Sequence, residues 1–257
     1  MAVDFSKLVN SILKKLDTYL CSIDSDKGEK LAYWIADYVR FLKMEKLFKP
    51  EKLIRYKRGA VVKAHFGYRI GAEFGGMHYA IVMDRKNSVN SPVVTVIPLT
   101  SVKPTTNVEN LHPSQVYLGD EIHTSVKNKL DEKLTTLEQR LLQIQLSYGP
   151  DYKEPLKLED KEEVYDLQRC LKYCKKMNAE LEQMKVGSIA LVNQITTISK
   201  IRIENPKYKQ DTLSNVRVSP EVLDKLDTKM LELYCAITPP TNSHTTPEIC
   251  ETISASK

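Results

Sequence analysis

The chain has 257 residues, 42% of them hydrophobic, with 38 Lys and Arg against 33 Asp and Glu and a formal net charge of +5. That composition supports a folded core and excludes a chain kept open by its own charge, while the mild positive balance neither requires nor forbids a nucleic-acid partner. No apolar run approaches the length of a membrane span and the N-terminus MAVDFSKLVNSILKK mixes charge with apolar residues, so no membrane association, no secretory leader and a cytoplasmic location are expected.

From Asp4 to about Ile23 the residues Phe5, Leu8, Val9, Ile12, Leu13, Leu16 and Leu20 recur at three and four, the signature of one amphipathic helix face. The polar stretch SDKGEK reads as a break. A second stripe, Leu31, Trp34, Ile35, Tyr38, Phe41, Leu42 and Phe48, is stopped by Pro50, and its aromatics read as core packing. From Lys57 the period shortens, and GAVVKAHF, HYAIVM, PVVTVIPLT and QVYL predict strands of a small antiparallel sheet or barrel. Between the first two lies GAEFGGMHYAIVM, which gathers three of the chain's nine glycines, Gly71, Gly75 and Gly76, around Glu73 and just before His78. Glycine at that density marks backbone that turns sharply or lets another group approach closely.

After Gly119 a heptad seam begins: Leu130, Leu134, Leu137, Leu141, Ile144 and Tyr148 on one arm, then Val164, Leu167, Leu171, Cys174, Asn178 and Leu181 on the return. YGPDYKEP is the bend, so an antiparallel helical hairpin is predicted with Asn178 as a polar seam position. Gly187 resets the period, and SIALVNQITTISKIRI reads as strand, turn and continuation. Ser219 and Pro220 are placed as N-cap and first helical residue before the stripe Leu223, Leu226, Met230 and Leu233. The tail from Ile237, rich in Pro, Thr and Ser, predicts disorder. The five cysteines are scattered, and Cys170 and Cys174 have no matching ligand pair nearby, so reduced thiols and no metal site are expected. Phosphate-loop, dinucleotide and serine-hydrolase motifs do not occur.

Joined across the hairpin, the β segments resemble the MazF/PemK family of toxin endoribonucleases. The residues that carry the likeness are Lys57-Arg58-Gly59, Gly71-Ala72-Glu73-Phe74-Gly75-Gly76, Pro98-Leu99-Thr100, the segment Ser188 to Ile203 with Gln194-Ile195 and Thr197-Ile198, and the helix Ser219 to Cys235. The resemblance implies an α+β fold: an SH3-like β-barrel with N-terminal helices and an inserted antiparallel helical hairpin. The corresponding division is a helical region at 1–56, a barrel at 57–118 plus 187–236, the hairpin at 119–186 and a tail at 237–257. It further implies a homodimer that cleaves single-stranded RNA by attack of a ribose 2′-hydroxyl, without metal or cofactor, and that an antitoxin protein neutralises.

Such cleavage needs a base for the hydroxyl, a stabiliser of phosphorane charge and an acid for the leaving 5′-oxygen. The family places an arginine and a proline where this chain has His78 and Tyr79. Arginine stays charged, whereas histidine gives or takes a proton near neutrality, which makes His78 the expected general base or acid. Thr100 would bond the scissile phosphate, with Ser101 as a second hydroxyl, and Glu73 would orient the loop or read a base edge. Gly75 and Gly76 would let the RNA backbone pass. Arg69, Lys103, Gln194 and Lys200 are candidates for nucleic-acid contact. The competing reading is a noncatalytic binding module on the same barrel, like the related gyrase poisons, in which loss of the arginine means loss of cleavage.

Overall fold

The computed structural model describes residues 4–148 and 158–236. The expected disordered tail and most of the hairpin bend lie outside the described residues.

Helix α1 spans Phe5–Ser22, capped by the Asp4 carboxylate, which accepts from the Lys7 N–H. The stretch read as a break is instead the start of α2, Ser25–Glu45. Asp24 explains the difference: its side chain accepts from the N–H groups of Asp26 and Lys27, satisfying donors that a helix start leaves orphaned. Gly28, with its Cβ position only 3.2 Å from the Leu20 carbonyl oxygen, then allows the two helices to meet. No residue of α1 is buried, and Phe5, Ile12 and Leu13 face solvent.

The strands are β1 (Val61–His65), β2 (Met77–Val82), β3 (Val93–Ser101), β4 (Gln115–Tyr117), β5 (Ser188–Leu191), β6 (Thr196–Ser199) and β7 (Ile203–Asn205). They form an antiparallel sheet ordered β4-β5-β3-β2-β1-β7, with β6 also paired to β3. The path is open: among the described residues β4 and β7 do not pair. β3 is the axis. It carries β2 on one edge, and on the other β6 along Val93–Val96 and β5 along Leu99–Ser101.

Between β4 and β5 the chain runs out through α3 (Glu121–Tyr148) and back through α4 (Leu158–Gln183), which pack on each other. The seam on α4 differs from the expected one. Leu167, Cys174, Met177 and Met184 are buried, while Leu171 is exposed and Asn178 lies outside, donating to the Glu182 carboxylate. Met177 fills the place expected of Asn178 because α4 must also bury a face against the sheet, which turns the seam around the helix. One sheet face, with Val61, Ile81, Ile97 and Leu99, packs on Ile122 and Val126 of α3, on Met177 and Met184 of α4, and on Leu226 of α5 (Pro220–Tyr234). The opposite face, with Val62, Ala64, Ala80, Val82, Val94 and Val96, closes on Tyr56, Ile198 and Ile203.

Ser219 caps α5, accepting from the Val222 N–H, and is itself held by the carboxylate of Glu121 at the start of α3. Arg58 joins the Met83 carbonyl to the Asp227 carboxylate of α5. The Lys57-Arg58-Gly59 motif is therefore used to fasten α5 to the sheet. Because Leu226 is fully buried where α5 meets that sheet, Leu226→Ala should lower unfolding free energy by about 2–5 kcal/mol, read as a shift of the urea midpoint at unchanged slope.

Candidate functional site

The loop 66–76 joins β1 to β2 and closes on itself. The Phe66 N–H donates to the Gly76 carbonyl and the Gly76 N–H to the Gly67 carbonyl, both at 2.7 Å. A Cβ on Gly75 would stand 2.7 Å from the Gly67 oxygen, and Gly76 has φ +92°, so the paired glycines first serve this internal crossing of backbones. Glu73 turns the loop: its carboxylate accepts from the Ile70 N–H at 3.3 Å. Gln194, in the 3-10 turn between β5 and β6, holds it from outside, accepting from the Phe74 N–H at 3.3 Å and donating to the Ala72 carbonyl at 3.5 Å.

His78 follows on β2, half-buried against the Phe74 ring at a centroid distance of 4.4 Å. Burial pulls its pKa below the ordinary histidine value; a hydrogen bond to the Gly75 backbone opposes this and the Arg69 charge adds to it. The imidazole is therefore held neutral at neutral pH. His78 on β2 and Thr100 on β3 each lie two residues beyond the pair Ala80↔Pro98, where the two strands stop pairing. Both line a cleft of about 370 Å³ together with Lys63, Ser101 and Lys185. Thr100 also lines a second cleft with Arg69, Glu73 and Gln194, and His78 a third with Arg69, Gly75 and Gly76. The glycine loop thus lines two of these clefts and leads through His78 into the first.

Two expected contacts are not found there. Lys200 is 1% exposed, donates to the Ser88 carbonyl at 2.9 Å and lies over the Tyr56 ring; an ammonium so placed is a core group, and it is corrected from nucleic-acid contact to structure. Lys103 is exposed but lines none of the three clefts.

Sequence reasoning missed Lys63, Lys185 and Glu180. Lys63 pairs with Glu180 of α4 at 2.8 Å, and the same carboxylate oxygen accepts from the Tyr79 hydroxyl at 2.5 Å. Burial and this bond push the Tyr79 pKa up, so the phenol stays protonated. A lysine inside the apolar run of β1 was the available signal; nothing local could have named Glu180 as its partner.

Helix α2 walls the third cleft. Trp34 stacks on His65 at 4.7 Å, and His65 accepts the Gly67 N–H through Nδ1 at 3.0 Å, with Nε2 3.5 Å from Asp37. Burial lowers the His65 pKa, with Asp37 opposing. A folded-state pKa below the unfolded value means the neutral ring's contribution is complete above about pH 6.5 and lost as pH falls through the folded pKa. Wild-type stability should therefore decline on the acid side, and His65→Asn, whose amide oxygen can still accept from Gly67, should show a shallower decline in urea unfolding between pH 7 and 5.

Residues 57–146 match the family described as a PemK-like, MazF-like toxin of the type II toxin-antitoxin system. The match opens at the Lys57-Arg58-Gly59 motif, takes in β1 to β4 with the glycine loop, and runs into α3; β5 to β7, α4, α5 and the N-terminal helices lie outside it. Toxins of this family are typically endoribonucleases. No curated protein matches the chain. Among the described residues no helix is long and apolar enough to cross a membrane.

Proposed function

We propose that this chain, which carries a PemK-like, MazF-like toxin domain over residues 57–146, cuts single-stranded RNA in the cleft between β2, β3 and α4. The observation that carries the reading is that His78 and Thr100 line one cleft together with two lysines.

The cleavage is an internal displacement. The 2′-oxygen bonds to the adjacent phosphorus and the bond to the 5′-oxygen breaks, leaving a 2′,3′-cyclic phosphate and a free 5′-hydroxyl. His78, held neutral by burial, takes the 2′-hydroxyl proton and in protonated form returns it to the leaving oxygen. The Thr100 hydroxyl bonds a non-bridging phosphate oxygen, with Ser101 beside it. Charge building on the phosphorane is met by Lys63 and Lys185, the ammonium groups that replace the family's arginine. Lys63 is kept in place by Glu180. Glu73 and Gln194 shape the glycine loop and take no part in proton transfer. Arg69, where the other two clefts share a border, is the contact for a flanking phosphate.

In this reading the sheet at 57–118 plus 187–236 is an SH3-like scaffold into which the hairpin 119–186 is inserted. The protein acts as a homodimer on messenger RNA in the cytoplasm, and an antitoxin silences it by covering the cleft. A family arginine can only hold charge, and a histidine with depressed basicity in its place supports catalysis over simple gripping.

Incubation of the full chain with a long single-stranded RNA in EDTA should release fragments ending in 2′,3′-cyclic phosphate, and His78→Ala should reduce the rate by about 10²–10⁴. RNA left intact by folded wild type, freed of any bound protein, would sink the nuclease reading. The acid limb of the kcat/KM profile should lie below pH 6.5, since the His78 pKa is lowered by burial, and it should vanish in the residual activity of the variant; a limb unchanged by the substitution would assign the base elsewhere.

A further inference from the structure

Beyond the cleft, the hairpin presents a groove of about 1090 Å³ between α3, α4 and the segment 204–215. Its walls carry Lys133 on α3, Arg169, Lys172 and Lys176 on α4, and Lys209 on the facing segment. These five are exposed. Among the described residues Lys133, Lys172, Lys176 and Lys209 form no salt bridge, and Arg169 pairs only with Asp166. The groove's carboxylates are engaged elsewhere. Glu180 holds Lys63 and Tyr79, Glu204 holds Lys207 at 3.0 Å, and Asp211 accepts the backbone N–H groups of Lys207 and Tyr208.

The facing wall is tied in place. Lys129 donates to the carbonyls of Asp211, Thr212 and Ser214, at 3.4, 3.0 and 2.7 Å, and the Tyr173 hydroxyl donates to the Asp211 carbonyl at 3.2 Å. The cations thus rest on a fixed frame. Arg169, Lys172, Lys176 and Gln183 are spaced three, four and seven along α4, so they share one helix face over roughly 20 Å at 1.5 Å rise per residue. Gln183 lines both this groove and the cleft of His78 and Thr100.

We infer that this groove is an RNA track, in which Lys133, Lys172 and Lys176 hold the phosphates of a single strand whose continuation enters the cleft at Gln183. The inference rests on the endoribonuclease reading for where the strand leads, and not for the binding itself. A linear row of unpaired cations suits a phosphate backbone, which offers a regular line of charge and no shape to read. A protein partner fits less well, because the lining offers little beyond Cys170, Tyr173 and Ala179 to receive the apolar anchors on which peptide grooves depend. Flexible ammonium contacts carry no base identity, so the track adds affinity without sequence preference.

The test uses fluorescent RNA with 2′-O-methyl ribose throughout, which blocks attack and separates binding from cleavage. Anisotropy is followed against KCl for strands of about 20 and about 5 nucleotides, with the full chain and with its triple variant Lys133→Glu, Lys172→Glu, Lys176→Glu. The variant should bind the long strand at least tenfold more weakly, with the slope of log K against log salt reduced by about 2. Binding of the short strand, and cleavage of its unmodified form, should be unchanged. The triple Gln variant, which only removes charge, should show a smaller loss in the same direction, and both should melt like wild type. Equal long-strand affinity and salt slope in wild type and variant would overturn the track and leave the cleft reading untouched. Unchanged RNA binding with loss of poly-glutamate binding would overturn it in favour of an acidic protein. Weakened long-strand binding in a protein that cuts no RNA would uphold the track and sink the nuclease.

Discussion

The fold depends on β3 having partners on both edges, and on a proline that decides where one of those edges must break. The Thr95 carbonyl accepts from the Met83 N–H, so the odd-numbered residues of β3 turn their backbone groups toward β2 and the even-numbered ones toward β5 and β6. Pro98 is even, and its missing N–H falls on the β5–β6 side. There the neighbouring chain leaves the ladder for the 3-10 turn Val192–Gln194, whose Val192 carbonyl accepts from both the Ile195 N–H and the Tyr234 hydroxyl of α5. The interruption has a second use. It places Gln194 against the glycine loop, and it leaves Thr100 two residues past the proline, in the cleft that His78 also lines. Strand pairing and site geometry therefore follow from one residue.

The hairpin is fastened at its base by polar contacts of different kinds. Toward the cleft, one carboxylate oxygen of Glu180 serves both Lys63 and Tyr79. On the far side, Lys129 gathers three carbonyls of the segment after β7; burial lowers its pKa to about 8, with the Lys133 charge adding to that effect. Further out, Arg140 and Glu163 join the two arms. Bonds to charged groups in half-buried settings are stronger than neutral ones and fix orientation as well as distance. The two arms are thus tied to the sheet at several points, and the lysine groove and the cleft adjoin at Gln183.

Much of this was legible in the sequence. The change of period at Lys57 and again after Gly119 marked the strands and the helical hairpin, the cap at Ser219 was read from Ser-Pro-Glu, and the dense glycines marked the loop beside His78. The failures share a cause. Lys200, a cation just after the Gln194 segment, reads as a surface charge in the sequence, yet its burial is set by Ser88 and Tyr56, distant in the chain. Gln194 could not be seen as the tie to Ala72 and Phe74, nor Arg58 as the link to Asp227, since each contact joins segments that only the fold brings together. Asn178 was misplaced for a related reason: a heptad describes packing between two helices, and α4 has a third neighbour. Helix α2 begins before its apolar stripe does, because the Asp24 cap and not the stripe sets its start.

The carboxylate of Glu121 has a bearing on how the molecule can be divided. It stands within the family-matched stretch and holds the start of α5, which lies outside it. Likewise β3, within the match, has its second edge covered by β6 along Val93–Val96 and by β5 along Leu99–Ser101, both of which come after it. A fragment cut at the limit of sequence likeness would end inside α3 and uncover the seven residues of β3 now paired to β6 and β5. Bare edges of that kind pair with other chains and aggregate. The matched stretch therefore lacks partners that its own strands use, and the later strands belong to the same sheet rather than being appendages to it.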